Sequence, residues 1–309
     1  MKSIIQTVQL SHRYTSSWAI RDIDININKK GIFGLLGSNG AGKSTTMNII
    51  CGVLNQTQGE VYINGIDIQK NPIEAKKHIG FLPQVAPLYL DLTVKEYLLY
   101  CARLRLMDEA MIPSALDEVM AKCGISNVQN RLLKNLSGGY RQRVGLAQSI
   151  IHKPELVILD EPTNGLDPVQ IAEVRNLIKE IAHQHTVILS SHILSEIQLL
   201  CDEIIMIEQG QLVFSDSMEA FNSYIAPQSM LVAFENPPPA DVLTILKGIN
   251  RVERLTSKSF RLFYDGSKSI SEAIIMESVN RGWRLTELAV EKNSVDEIFK
   301  QLSKKAINN

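Results

Sequence analysis

Between positions 20 and 29 the chain alternates: Ile23, Ile25 and Ile27 are spaced by Asp24 and Asn26, with Asp22 ahead of them. A period of two with one apolar side predicts a strand with one buried face. Val61-Tyr62-Ile63 and Ile66-Asp67-Ile68 flank Asn64-Gly65, which predicts a hairpin. The N-terminal part therefore holds antiparallel strands. Three other runs do not alternate. Ile32-Phe33-Gly34-Leu35-Leu36, residues 156–159 and Val187-Ile188-Leu189 are apolar almost throughout, as strands are when helices cover both faces of a parallel sheet. Each leads into a polar or glycine-rich turn and then a helical pattern. That is the βα rhythm of an open α/β sheet, whose ligands bind at the carboxyl ends of the strands.

Residues 93–124 are helical in pattern, punctuated by Pro113-Ser114, and belong to a helical insertion expected over about 85–150. Residues 204–207 and 212–214 flank Gln209-Gly210-Gln211 and predict a closing hairpin. The composition shifts after Tyr224, with Pro227 and then Pro237-Pro238-Pro239 breaking the pattern. Beyond them strands are expected over 230–234, 252–255, 260–264 and 283–290, and helices over 241–246, 271–281 and 295–302. That order suggests a small ferredoxin-like α+β domain. The expected domains are 1–220 and 228–305.

Composition adds mostly exclusions. A chain of 309 residues accommodates one large domain and a small one. With 45% hydrophobic and 21% charged residues it has the make-up of an ordinary globular protein. A net charge of −1 provides no basic field, so nucleic acid is not an expected partner. No apolar run approaches the ~20 residues that span a bilayer, and residues 1–6 lack the apolar core of a signal peptide. Cys51, Cys101, Cys123 and Cys201 lie far apart without metal-ligand spacing, as expected of reduced thiols in a cytosolic protein.

The chemistry lies in three motifs. Gly37-Ser38-Asn39-Gly40-Ala41-Gly42-Lys43-Ser44 follows a strand and opens a helical run that Thr45 continues to Cys51. Its glycines let backbone N–H groups turn inward around phosphate, and the helix N-terminus adds partial positive charge. Lys43 would reach the β- and γ-phosphates of a nucleotide, and the Ser44 hydroxyl would bind Mg²⁺. Asp160 ends the apolar run 156–159, where a carboxylate can hold Mg²⁺ through water opposite Ser44. Glu161 follows on the other side of the strand end, which suits a group that polarises the attacking water; its bland alternative is a charge on a helix N-terminus. Leu136-Ser137-Gly138-Gly139 precedes a helical pattern with Val144, Ala147 and Ile151. Ser137 is an expected N-cap, and the two glycines leave N–H groups exposed at a positive helix end, a second phosphate site. One nucleotide does not need two cradles from one subunit, so two chains arranged head to tail, each closing the other's site, is the economical solution.

In this order the motifs make residues 1 to about 220 resemble the nucleotide-binding subunit of ATP-binding cassette (ABC) transporters. The resemblance implies a P-loop NTPase core sheet with an antiparallel β subdomain and the helical insertion, plus the C-terminal accessory domain. It also implies ATP and Mg²⁺ as ligands, held by residues 37–45 and, across a dimer, by Ser137, Gly138 and Gly139. Tyr14 resembles the aromatic that stacks on adenine. Gln84, in Phe81-Leu82-Pro83-Gln84, resembles the glutamine that senses Mg²⁺ and water and links the site to the insertion. Asp167 resembles the residue of the loop that crosses the dimer interface, and His192 the switch histidine that contacts the γ-phosphate. Glu161, His192 and Gln84 are the implied catalytic group, and Ser44, Gln84 and Asp160 the implied metal group. Ser38 stands where proline is often found and Tyr140 where glutamine or methionine is commoner, but neither change removes a phosphate contact.

A single cassette, with fewer than a hundred residues between Gly42 and Ser137, does not resemble the translation or DNA-repair members. Residues 90–97 and 161–168 resemble separate ATPase subunits of drug, antibiotic and gliding-motility exporters, and residues 294–299 are similar to the end of the accessory domain in that group. The implied protein is an ATP-hydrolysing subunit that dimerises around two ATP, with itself or with a homologous subunit. It would energise a separate polytopic permease for export, from a peripheral position on the cytoplasmic face of the membrane. An importer subunit and a soluble regulatory ATPase without transport are the alternatives. No residue encodes the cargo, because such a subunit need not touch it.

Overall fold

In a computed structural model the chain is described over residues 3–224, 229–264 and 269–291. It divides into two compact units, Met1–Met218 and Glu219–Asn309.

The first unit opens with β1 (Ile5–Tyr14) and β2 (Ser17–Ile27), then β3 (Ile32–Leu36) and α1 (Lys43–Ile50). β4 (Gln58–Ile63) and β5 (Ile66–Asp67) follow, joined by Asn64 and Gly65, both with left-handed φ (48° and 71°) as a tight hairpin requires. α2 (Pro72–Lys77) leads into β6 (Ile79–Leu82), and then come three helices: α3 (Val94–Leu104), α4 (Ile112–Lys122) and α5 (Gly138–Ile150). The unit closes with β7 (Leu156–Asp160), α6 (Pro168–Ala182), β8 (Thr186–Ser191), α7 (Leu194–Leu200), β9 (Glu203–Glu208) and β10 (Gln211–Ser217).

These strands make two sheets. β2-β1-β4-β5 is antiparallel, and Ile23, Ile25 and Ile27 of β2 point inward, as their spacing predicts; Ile20, three positions ahead of Ile23, is also buried because the register shifts at Asp22, whose φ is +51°. The second sheet has the order β10-β9-β3-β8-β7-β6, parallel except for the edge strand β10. β3, β7 and β8 are buried along their whole length, which is why their sequences do not alternate. α1 packs against β2 of one sheet and β7 of the other, and one hydrophobic cluster runs from Ile23 and Ile25 through Met47 and Ile50 to Ile158 and Ile188. The phosphate loop is thereby anchored to both sheets.

The helical insertion differs from expectation in one place. Thr93 caps α3 through a reciprocal pair with Glu96, but the break falls over residues 105–111, and Pro113 sits in the first turn of α4. Proline lacks only an N–H that a first turn leaves unpaired anyway, so it opens the helix instead of interrupting it. Just past α3, Arg105 reaches back to the sheet and donates Nη1 to the carbonyls of Lys76 and Ile79, both at 3.0 Å. Among the described residues no helix is long and apolar enough to cross a membrane, and all four cysteines are free.

After α8 (Met218–Tyr224), the second unit comprises β11 (Ser229–Phe234), α9 (Ala240–Thr244), β12 (Ile249–Arg254), β13 (Ser259–Tyr264), α10 (Ser269–Asn280) and β14 (Leu285–Glu291). Its antiparallel sheet has the order β12-β13-β11-β14. That interleaving is the split βαβ arrangement of a ferredoxin-like fold. Met230, Val232, Phe234, Phe260 and Leu262 face Leu243, Ile270 and Ile274 to form its own core. β14 starts at Leu285, not at position 283, because Gly282 and Arg284 take left-handed φ (69° and 55°) and Trp283 turns into the core. The helix expected over 295–302 and the exporter-like ending at 294–299 lie outside the described residues.

Candidate active site

The phosphate loop leaves the carboxyl end of β3. Gly40 and Gly42 hold φ of +82° and +108°, where a side chain is strained, and a Cβ on Gly42 would also stand 2.4 Å from Ile20 Cγ2. Ala41 is buried and its carbonyl accepts from Gly210 N at 3.0 Å, which ties the loop to the β9–β10 turn. Gly37 is buried, whereas Asn39 and Gly40 are exposed. Ser38 is fixed by Glu208: the carboxylate accepts from Ser38 N at 3.3 Å and from Oγ at 2.9 Å. Ser44 is exposed and Thr45 half-buried in the first turn of α1, which has no side-chain cap, so its leading N–H groups are free for an anion.

Lys43 is 6% exposed, with its Nζ folded back onto the carbonyls of Gly37 (2.9 Å) and Ser38 (3.1 Å). Burial pushes its ammonium below the ordinary lysine range, and the opposing attraction comes from Glu161, Asp160 and Glu208 in that order. The loop cation and the two strand-end carboxylates therefore share one electrostatic site.

β7 delivers those carboxylates. Asp160 is buried and accepts from Ser190 Oγ at 2.5 Å. The same hydroxyl oxygen accepts from Glu161 N at 2.9 Å. Glu161 does not simply alternate to the other side of the strand. The strand ends at Asp160, and Glu161 takes φ +50°, a conformation that costs an L-residue about 1 kcal/mol or more. This turn brings its carboxylate to His192, whose Nδ1 lies 2.8 Å from Oε2. His192 is exposed at the end of β8. Gln84 is exposed just past β6, the strand that pairs with β7.

Ser137, Gly138 and Gly139 stand at the N-terminus of α5 and Asp167 at that of α6. Ser137 Oγ caps α5 by accepting from Tyr140 N at 3.5 Å, and Ser137 and Gly138 are exposed. A Cβ on Gly139 would meet Gln170 of α6 at 2.9 Å, so the two helices approach closely there. Asp167 caps α6, accepting from Val169 N (3.0 Å) and Gln170 N (2.9 Å). Gln142 Nε2 donates to Pro162 O at 2.6 Å, joining α5 to the segment after Glu161. Tyr14, at the end of β1, is 51% exposed and meets His12 edge-on with ring centroids 4.6 Å apart.

Sequence reasoning missed Ser190, Glu208 and Gln142. Their partners lie 20 to 170 positions away along the chain, and serine or glutamate at a strand end has no periodic signature. The oxygen donors at the site, a serine hydroxyl and one carboxylate beside a phosphate cradle, suit a hard cation that takes its remaining ligands from phosphate and water. Among the described residues no group of three or more His, Cys, Asp or Glu side chains is arranged to hold a metal by itself.

Comparison with known proteins agrees with this geometry. A family model described as ABC transporter matches residues 20–164. The bacitracin transport ATP-binding protein of Bacillus licheniformis is 40% identical over 215 residues, 69% of this chain and 69% of that protein. The linearmycin resistance ATP-binding protein of Bacillus subtilis is 27% identical over 305 residues, 97% of this chain and 98% of that protein. Among solved structures, an ATP-binding subunit of an ABC transporter is similar with a TM-score of 0.65 and 26% identity, over 71% of this chain and 92% of that one. With 40% identity over 69% of both chains, and a family model spanning residues 20–164, the chain belongs to the ABC transporter family, as one of its ATP-binding and ATP-hydrolysing subunits.

Proposed function

We propose that two copies of the chain, or one copy and a homologous subunit, close head to tail around two ATP and drive a separate polytopic permease that exports its cargo. The observation that carries this reading is buried Lys43 within the electrostatic reach of Glu161 and Asp160, together with Ser137 and Gly138 exposed at the N-terminus of α5. Each γ-phosphate then bridges Lys43 of one chain and Ser137, Gly138 and Gly139 of the other.

On binding, the Lys43 ammonium exchanges the carbonyls of Gly37 and Ser38 for phosphate oxygens, and the N–H groups of residues 39–45 line the rest of the cradle. Tyr14 stacks on the adenine. Ser44, Asp160 and Gln84 would hold Mg²⁺, which when bound neutralises charge on the β- and γ-phosphates. Glu161 orients the attacking water and draws its proton, while His192 holds the Glu161 carboxylate and contacts the γ-phosphate. Asp167 sits where the partner subunit crosses. Hydrolysis breaks the bridge and reopens the dimer, a two-state element biased by a ligand.

In this reading residues 1–220 are the engine, with the insertion over about 85–150 facing the permease, and 228–305 an accessory domain. The subunit sits on the cytoplasmic face of the membrane. Export is favoured by the resistance named for the linearmycin relative. Native membrane extraction followed by affinity capture of the full chain tests the reading. It should recover a polytopic protein, and Lys43→Ala should weaken ATP binding by about 10–100-fold. Recovery only in a pool bound to ribosomes or DNA, or unchanged ATP affinity in Lys43→Ala, would overturn it. Movement of a labelled cargo in vesicles reconstituted with the recovered permease decides direction.

A further inference from the structure

Behind the catalytic loop lies a buried polar cluster that no step above uses. Glu196, in the first turn of α7, is 7% exposed. Its carboxylate accepts from Thr163 Oγ1 at 2.9 Å to each oxygen, and from Ser191 Oγ at 3.0 Å. Arg175 of α6 stands 3.6 Å away through Nη2, and its Nε is buried without a hydrogen-bond partner. Thr163 lies two residues beyond Glu161, and Ser191 directly precedes His192. Ser191 Oγ also accepts from Ile193 N at 3.0 Å, so that one hydroxyl braces the backbone on both sides of the histidine.

A buried carboxylate is expensive to desolvate, and a single cation at 3.6 Å compensates for it poorly. An apolar residue would fill the same space more cheaply. What the carboxylate supplies instead is a shared acceptor for the segments that follow β7 and β8, a second tie beyond the one Ser190 makes at the strand ends. We infer that Glu196 is a positioning residue for hydrolysis: it locks Thr163 to Ser191, and so fixes the mutual orientation of Glu161 and His192. Through the same lock the loop running from Thr163 to Asp167 follows the histidine when the site closes. The inference rests on the roles given above to Glu161 and His192.

The test is a double-mutant cycle on the full chain, reading kcat, KM and ATP affinity. Thr163→Val and Ser191→Ala each remove one hydroxyl that donates to the Glu196 carboxylate. Each should lower kcat by about tenfold while KM and affinity stay within about twofold, because the phosphate loop is untouched. Together they should lose about tenfold, not the hundredfold of independent sites. Glu196→Gln should abolish the coupling, and Thr163→Ser should restore turnover. Multiplicative losses, or affinity falling in step with kcat, would overturn the inference. If Glu196 variants do not fold, the cycle between the two hydroxyls still decides it. A Glu161→Gln chain that turns over ATP normally would sink the assignment of the base and leave the Thr163–Ser191 coupling as a separate reading.

Discussion

The imidazole Nδ1 of His192 faces both oxygens of the Glu161 carboxylate, at 2.8 and 3.0 Å. Glu161 can reach it only because the chain turns into the left-handed region directly after Asp160. In the reading proposed above, this turn presents the Glu161 carboxylate to the attacking water. Glu161→Gln keeps the size and the contact but removes the base. ATP binding should be retained, turnover should fall by about 10²-fold or more, and an ATP-bound dimer should accumulate. Gel filtration with ATP checks this; a monomer alone would contradict it.

Ser38 occupies a loop position where a rigid proline is common, and Glu208 supplies the rigidity through two hydrogen bonds. Ser38→Ala deletes the side-chain bond and leaves every backbone N–H of the cradle in place. Stability should fall by about 1 kcal/mol, with ATP affinity changed by less than about threefold. Thermal melts with and without nucleotide measure both.

His152 lies at the other end of the parallel sheet, with Nε2 3.0 Å from Ile79 O and Nδ1 buried without a partner. Burial, helped by the Arg105 guanidinium, pushes its pKa down from 6.5 to about 4. The folded state holds the ring neutral, while the unfolded chain takes up a proton below about 6.5. Stability from this site is therefore complete above pH 6.5 and is lost as pH falls towards 4, by up to about 3 kcal/mol. His185 is pushed the same way by its burial. Melting temperature should fall between pH 6.5 and 5, ahead of most carboxylates, and His152→Gln should flatten that limb.

Each unit has its own hydrophobic cluster, and every residue assigned to nucleotide chemistry precedes Met218. A chain ending at Tyr224 should fold and bind ATP within about threefold of the full chain. Fluorescent-nucleotide titration checks this; global unfolding of the shortened chain would refute the boundary.

The sheets and the cradle were legible because they follow from local rules. Ile23, Ile25 and Ile27 announce a one-sided strand, the unbroken 156–159 run a two-sided one, and the glycines of residues 37–42 a backbone that must turn. What stayed hidden depends on partners distant along the chain. Ser190 looks like the end of an apolar strand, yet it fixes Asp160 and the backbone of Glu161 at once. Glu196 looks like a solvated helix residue and is buried. The left-handed turn at Glu161 has no signature, since glutamate seldom adopts it unless its surroundings enforce it. Pro113 misled for a simpler reason: the same ring that breaks a helix also starts one.

Arg105 gives α3 a fixed end. Its guanidinium holds the carbonyls of Lys76 and Ile79 beside one end of the helix, and at the other end Val94 N and Lys95 N donate to Arg131 O at 3.2 Å and Gln129 O at 2.9 Å. Eleven residues make a strut about 16 Å long between these two anchorages. A rod held at both ends passes a shift at β6 on to residues 129–131 at its own size, neither absorbed nor multiplied on the way.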